Sequence, residues 1–148
     1  MKSAEAEVLF LCTGNYYRSR FAEHVFNHLA PRRQLPWRAF SRGLAIERVD
    51  PGAGPISPHT LAALALRGIA LGGEVRAPIA LRERDLEQAH HIVALKRQEH
   101  WPLLSLRFPR WVDRVEYWQV DDVDCAGPEQ ALPQIEVAVR GLIERLMR

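Results

Sequence analysis

Cysteine is scarce in this chain. The two that are present, Cys12 and Cys125, lie far apart, too few and too separated for a disulfide framework. A reducing, cytoplasmic compartment is therefore expected, and there a cysteine in an unusual local sequence reads first as chemistry. No apolar run approaches the roughly 20 residues that a membrane-spanning helix needs. The first apolar stretch, Val8-Leu-Phe-Leu11, is too short for a signal-peptide core, and no cleavage site follows it. Neither charge sign dominates: 20 Lys and Arg against 18 Asp and Glu give a formal +2, evenly spread. That balance argues against nucleic-acid or membrane-surface partners. Internal repeats, low-complexity tracts and linkers are also missing. What is present is a chain of 148 residues, 47% apolar and 26% charged, which fits one domain spanning residues 1–148 with its own core.

Apolar patterning gives the elements. Glu7 to Leu11 reads as a buried strand, because its apolar run shows no polar alternation. Ser19 to Ala30 carries Phe21, Ala22, Val25, Phe26 and Leu29 on one side of a helix, with Pro31 expected to end it. Trp37 to Ser41 reads as a second strand. Residues 50 to 58, rich in proline and glycine, read as a surface loop. A helix from Pro58 to Arg67 should stop at Gly68, and Arg82 to Gln88 suits a short helix. His91 to Leu95 follows as a strand, Lys96 to Leu106 as a helix despite Pro102, and Val115 to Val120 as the last strand. Leu132, Ile135, Val139, Leu142, Ile143 and Leu146 mark a C-terminal amphipathic helix that Gly127-Pro128 would open. Strands alternating with helices imply a parallel sheet covered on both faces. Ligands in such sheets bind beyond the carboxyl ends of the strands, so the loop after the first strand is the place to look for chemistry.

That loop runs from Cys12 through Thr13, Gly14, Asn15, Tyr16 and Tyr17 to Arg18 and Ser19. A loop curling onto a helix N-terminus gathers backbone N–H groups around a phosphate-sized anion. Gly14 is expected to supply a turn with positive φ, which Asn15 also tolerates. The same field favours a thiolate, bringing a cysteine from about 8.5 to roughly 3.5–7.5. Arg18 offers a planar fork for two phosphoryl oxygens. Ser19 lies within reach of the sulfur and could ease its departure from a phosphocysteine.

Val8-Leu-Phe-Leu-Cys-Thr-Gly-Asn-Tyr-Tyr-Arg-Ser19, followed by Phe21-Ala-Glu23, resembles the low-molecular-weight protein tyrosine phosphatases and the arsenate reductases built on the same fold. Ser41-Arg-Gly43, Pro58 to Ile69 and His91-Ile-Val-Ala-Leu95 extend the similarity. The resemblance implies a four-stranded parallel sheet, order 2-1-3-4, with helices on both faces. It also implies a hydrogen bond between Asn15 and Ser41 that holds the loop. Two departures stand out. Tyr17 replaces a frequent second loop cysteine, which removes the protective in-loop disulfide of some relatives. Arg20 replaces the usual proline, placing a charge where it would either favour acidic substrates at the rim or be solvated.

The family takes its proton donor from an Asp after the last strand. At that place this chain has Asp121-Asp-Val-Asp124, where Asp122 is assigned as the acid and Asp121 and Asp124 remain alternatives. Val123 stands for the usual proline, and the tyrosines often found beyond it are absent. Tyr16 and Tyr17 are expected to wall the pocket. Trp101, Trp111 and Trp118 read as packing residues. His24 and His28, and likewise His90, His91 and His100, lack a convincing set of further ligands, so no metal or other cofactor is expected. Cys125 could pair with Cys12 under oxidation, although a small core residue is the simpler reading.

Three functions compete. The first is hydrolysis of phosphomonoesters, foremost phosphotyrosine in proteins, by a monomer or weak dimer. The second is arsenate reduction with an external thiol, since no cysteine between residues 13 and 124 serves an internal cascade. The third is a non-catalytic phosphate-binding module.

Overall fold

The computed structural model describes residues 6–71, 75–122 and 126–148. Its centre is a parallel sheet of strands β1 (Ala6–Cys12), β2 (Trp37–Gly43), β3 (His91–Ala94) and β4 (Glu116–Tyr117), in the order β2-β1-β3-β4. This is the expected topology. Among the described residues, five α-helices cover it: α1 (Arg18–Arg32), α2 (Pro58–Leu66), α3 (Glu83–Gln88), α4 (Arg97–Arg107) and α5 (Pro128–Leu146). None among the described residues is long and apolar enough to cross a membrane.

Strand β1 is buried on both faces, which is why its sequence runs apolar without alternation. Val8 and Phe10 point to one side, where they pack with Phe21, Val25 and Phe26 of α1 and Leu132, Ile135 and Val139 of α5. Leu9 and Leu11 point to the other, against Leu86 of α3 and Leu103 and Leu104 of α4. Each such side chain removed from water stabilises the fold by roughly 1.5–3 kcal/mol.

Several boundaries differ from expectation. Pro31 does not end α1. It sits in the last turn, where the fixed φ of proline suits the helix and at most one backbone bond is lost. The helix ends instead where Gln34 turns left-handed (φ 56), with Gln34 N–H donating to Pro31 and Leu35 N–H donating to Ala30. Gly68 (φ 71) closes α2 in the same way, at the expected place. The last strand is shorter than its apolar pattern. After Tyr117 the chain leaves the parallel register and pairs antiparallel, Gln119 with Lys96, across the exit of β3. Trp118 and Trp111 pack against the two cores as expected, but Trp101 is 38% exposed on α4, with Arg97 over its ring at 5.9 Å.

Candidate active site

The loop between β1 and α1 lies at the carboxyl end of the central strand, beside the end of β2. Leu44 N–H donates to the Cys12 carbonyl (2.9 Å) and Ala45 N–H to that of Thr13 (2.8 Å). The left-handed residue is Asn15 (φ 50), and Gly14 is not among the residues with positive φ. Gly14 serves by close approach: a Cβ there would sit 2.5 Å from Cγ2 of Val49. Asn15 holds its strained conformation because its side chain is fully satisfied and fully buried. Its Nδ2 donates to Ser19 and Ser41, each at 2.9 Å, while its Oδ1 accepts from Arg76 (2.9 Å) and from Ile79 N–H (3.0 Å).

Ser41 Oγ accepts from Asn15 and Arg76, so its own proton goes to Glu23 (2.5 Å). Ser19 Oγ accepts from Asn15 and from the Cys12 thiol, whose sulfur lies 3.0 Å away. Arg20 is not at the rim. It is 1% exposed and ties the loop from within, donating to the carbonyls of Asn15, Pro55 and Arg76. Burial and the neighbouring Arg76 charge pull its pKa down to about 10.

Arg18 is almost fully buried and points across the mouth of the loop. Nη1 donates to the Val120 carbonyl (2.9 Å) and to Glu99 Oε1 (3.2 Å), and Nη2 donates to Glu99 Oε2 (2.5 Å). Three of its five N–H groups are thus committed, and the Nε–H and second Nη2–H remain as an adjacent pair. Burial works against its charge, but Glu99, Cys12 and Asp122 outweigh it and raise its pKa.

Sequence reasoning missed Glu99. It also accepts from Thr13 Oγ1, and His100, fully buried, has Nε2 3.1 Å away without hydrogen-bond alignment. His100 Nδ1 accepts the Lys96 N–H (3.0 Å), which leaves the proton on Nε2. Burial lowers the His100 pKa and keeps the ring neutral. Burial opposes ionisation of Glu99 too, but His100, Arg18 and Thr13 hold its carboxyl well below the usual carboxylate range. The available signal was a carboxylate in the first turn of a helix leaving the carboxyl end of a strand. His100 had read as isolated because its partner is the neighbouring side chain.

Cys12, Thr13, Gly14, Tyr16, Tyr17, Arg18, Arg48, Val49 and Asp122 line a cavity of about 120 Å³. Asp122 Oδ2 lies 3.7 Å from Arg18 Nη2. Asp121 turns away to pair with Lys96. Asp124, the other acid candidate, and Cys125 lie outside the described residues. The Tyr16 hydroxyl donates to the Ala53 carbonyl (2.7 Å) and fixes its ring as a wall. Tyr17 is a core residue, edge-on to His59 at 6.4 Å. Arg48 and Val49, from the loop after β2, complete the wall, with Arg48 exposed at the rim.

The family model described as low molecular weight phosphotyrosine protein phosphatase matches residues 7–148. A protein-arginine-phosphatase of Bacillus subtilis is 32% identical over 146 residues, covering 96% of this chain and 92% of its own. A crystal structure of a low molecular weight protein tyrosine phosphatase from T. tengcongensis is 28% identical, covers 97% of this chain and 98% of its own, and superposes with a TM-score of 0.74. The YwlE arginine phosphatase, as a cysteine-to-serine mutant with a phosphorylated active-site serine, is 27% identical, with 96% of each chain covered and a TM-score of 0.78.

Proposed function

This chain belongs to the low molecular weight phosphotyrosine protein phosphatase family, and on that premise we propose that it removes phosphoryl groups from protein side chains through a phosphocysteine. The observation that carries this reading is the Cys12–Ser19–Asn15 chain of hydrogen bonds. It seats a hydroxyl 3.0 Å from the sulfur, accepting from the thiol and in place to donate once the sulfur is a thiolate.

Cys12 attacks phosphorus as a thiolate, forming the S–P bond as the P–O bond of the ester breaks. Backbone N–H groups from Thr13 to Arg18, with the free pair on Arg18, hold the non-bridging oxygens as charge develops. Asp122 gives its proton to the departing oxygen. Water then attacks phosphorus, its proton passes to the Asp122 carboxylate, and the S–P bond breaks to release phosphate. The Ser19 hydroxyl stabilises the leaving thiolate. Glu99 acts behind Arg18, fixing which edge of the guanidinium faces the cavity.

For the substrate, phosphotyrosine fits the walls: Tyr16 and Val49 offer apolar faces, and the Arg48 rim disfavours a cation. Phosphoarginine is the second reading, supported by the Bacillus relative, and there Asp122 would protonate a nitrogen. Turnover of phosphotyrosine and phosphoarginine peptides of one sequence decides between them, with phosphotyrosine expected to give the higher kcat/KM. The chemistry is tested with p-nitrophenyl phosphate: Cys12→Ser should lose at least about 10³-fold in kcat. Retention of the wild-type rate by that variant refutes the mechanism.

A further inference from the structure

A backbone donor of the phosphate loop is aimed by the carbonyl that precedes it. In a trans peptide the C=O of one residue and the N–H of the next point in opposite directions. A carbonyl anchored on the protein side therefore turns the following N–H to the other side. The Cys12 and Thr13 carbonyls accept from the N–H groups of Leu44 (2.9 Å) and Ala45 (2.8 Å). The Tyr16 carbonyl accepts from Ser57 N–H (3.0 Å), and that of Tyr17 from Phe21 N–H (3.1 Å) and Thr60 Oγ1 (3.0 Å). These anchors are neutral groups from the segment after β2, from α1 and from the start of α2.

The Asn15 carbonyl is held differently. Asn15 is the left-handed residue of the loop (φ 50), and Arg20 Nη1 donates to its carbonyl at 3.1 Å. The same guanidinium, 1% exposed, also donates to the carbonyls of Pro55 (3.1 Å) and Arg76 (2.7 Å). A proline, which the family resemblance puts at this position, has no donor to offer. A charged donor polarises the carbonyl it grips and, through the shared peptide, strengthens the N–H beyond it. That N–H belongs to Tyr16, whose residue lines the cavity. Tyr16 is braced on its other side too, by Ser57 N–H at its carbonyl and by the Ala53 carbonyl at its hydroxyl (2.7 Å). With the peptide planes before and after it both fixed, its N–H is turned away from the buried guanidinium.

We propose that Arg20 is a positioning residue for phosphoryl binding: by holding the Asn15 carbonyl inward, it turns the Tyr16 N–H to the cavity as a donor to a non-bridging oxygen. The proposal rests on the phosphocysteine reading and deepens it, since the phosphoryl group of that reading is what this N–H meets. One loop donor is thus set by a side-chain charge, whereas those of Thr13 and Gly14 are set by backbone groups of the segment after β2. Loss of Arg20 therefore disturbs the Tyr16 donor and spares the other two.

Three nitrogen-15-labelled proteins test this: wild type, Arg20→Lys and Arg20→Gln, each titrated with inorganic phosphate while the backbone amides are followed by NMR. In wild type the Thr13, Gly14 and Tyr16 amide protons should all move downfield as phosphate binds. In Arg20→Gln the Tyr16 response should be lost while those of Thr13 and Gly14 persist. Its Kd for phosphate should rise about tenfold, and its kcat on p-nitrophenyl phosphate should fall by at least about that factor. Arg20→Lys keeps a charge without the fork and should fall between the two. A Tyr16 amide that ignores phosphate in wild type while its neighbours respond overturns the proposal alone. So does a Tyr16 response in Arg20→Gln equal to that of wild type. A loss shared equally by all three amides marks a merely structural role and overturns it too. If Arg20→Gln does not fold, Arg20→Lys and the wild-type titration decide by the same criteria. A wild-type loop in which no amide responds strikes the phosphate-site reading, and the proposal with it.

Discussion

On one side of Cys12, Asn15, Ser19 and Ser41 are fully buried, with Ser41 donating to Glu23 and Ser19 accepting from Asn15 and from the Cys12 thiol. On the other side, Arg18 is gripped by a half-buried Glu99, with Thr13, His100 and Asp122 around it. The first side is mostly neutral hydroxyls and an amide at fixed distances, and it serves as geometry. The second is made of charges, and its members must change partners when an anion arrives. A phosphate site built in this way separates the part that must not move from the part that must respond. Buried neutral hydrogen bonds are costly to break and insensitive to pH, whereas ionised groups near solvent respond to both ligand and proton.

The largest effect should come from breaking the rigid side. Asn15→Ala leaves Arg76, Ile79 N–H and two serines short of a partner. It should lower the unfolding free energy by about 3 kcal/mol or more in urea titration, with turnover lost as well. If the variant unfolds like wild type, the web is not what holds the loop. Next, Glu99→Gln keeps the shape but removes the charge behind Arg18. At pH 7 it should cost about 1–2 kcal/mol of stability and raise KM for phosphate esters or lower kcat, as Arg18 loses its fixed edge. The folded-state pKa of Glu99 lies below its unfolded value, so this contribution is present above the unfolded pKa and fades as pH falls through the folded one. Stability curves of wild type and variant should therefore converge in acid.

A smaller effect of the same sign, without the kinetic one, is expected from Glu116→Gln. On β4, far from Cys12, Glu116 accepts from His91 (2.9 Å), Trp118 (2.6 Å) and Arg145 (2.7 Å). Burial opposes its charge and these partners overcome it, holding its carboxyl well below the usual range. Its loss should cost about 1 kcal/mol at pH 7, converging with wild type in acid, with kcat unchanged. A kinetic defect there would show that charge effects are not confined to the Arg18 side. Smallest of all, Arg48→Ala should leave the melting temperature within error and alter KM about two- to fivefold, in opposite directions for acidic and basic phosphopeptides.

How much of this could be read beforehand differs between the two sides. Asn15, Ser19 and Ser41 belong to short local patterns, and their meeting follows once β1 and β2 are neighbours, since Cys12 stands opposite Gly43 in the register. Glu99 lies 81 positions from Arg18 in the chain, and its place in the first turn of α4 marks it only weakly. Arg20 read as a rim charge because residue type suggests solvent, yet three carbonyls from three segments receive it inside. Gly14 read as a turn residue, whereas its lack of a side chain serves to admit Val49.

By itself the sequence determined the strands, the covering helices and the loop with its cysteine and arginine, because periodicity and local turn chemistry act over a few residues; the order of the strands came only from the family resemblance. Only the tertiary structure decided what Arg18 leans on, how Ser19 is held against the sulfur, and that Arg20 is buried inside the loop. Those depend on side chains from distant segments meeting at the ends of strands, where burial makes every unmatched donor or charge costly.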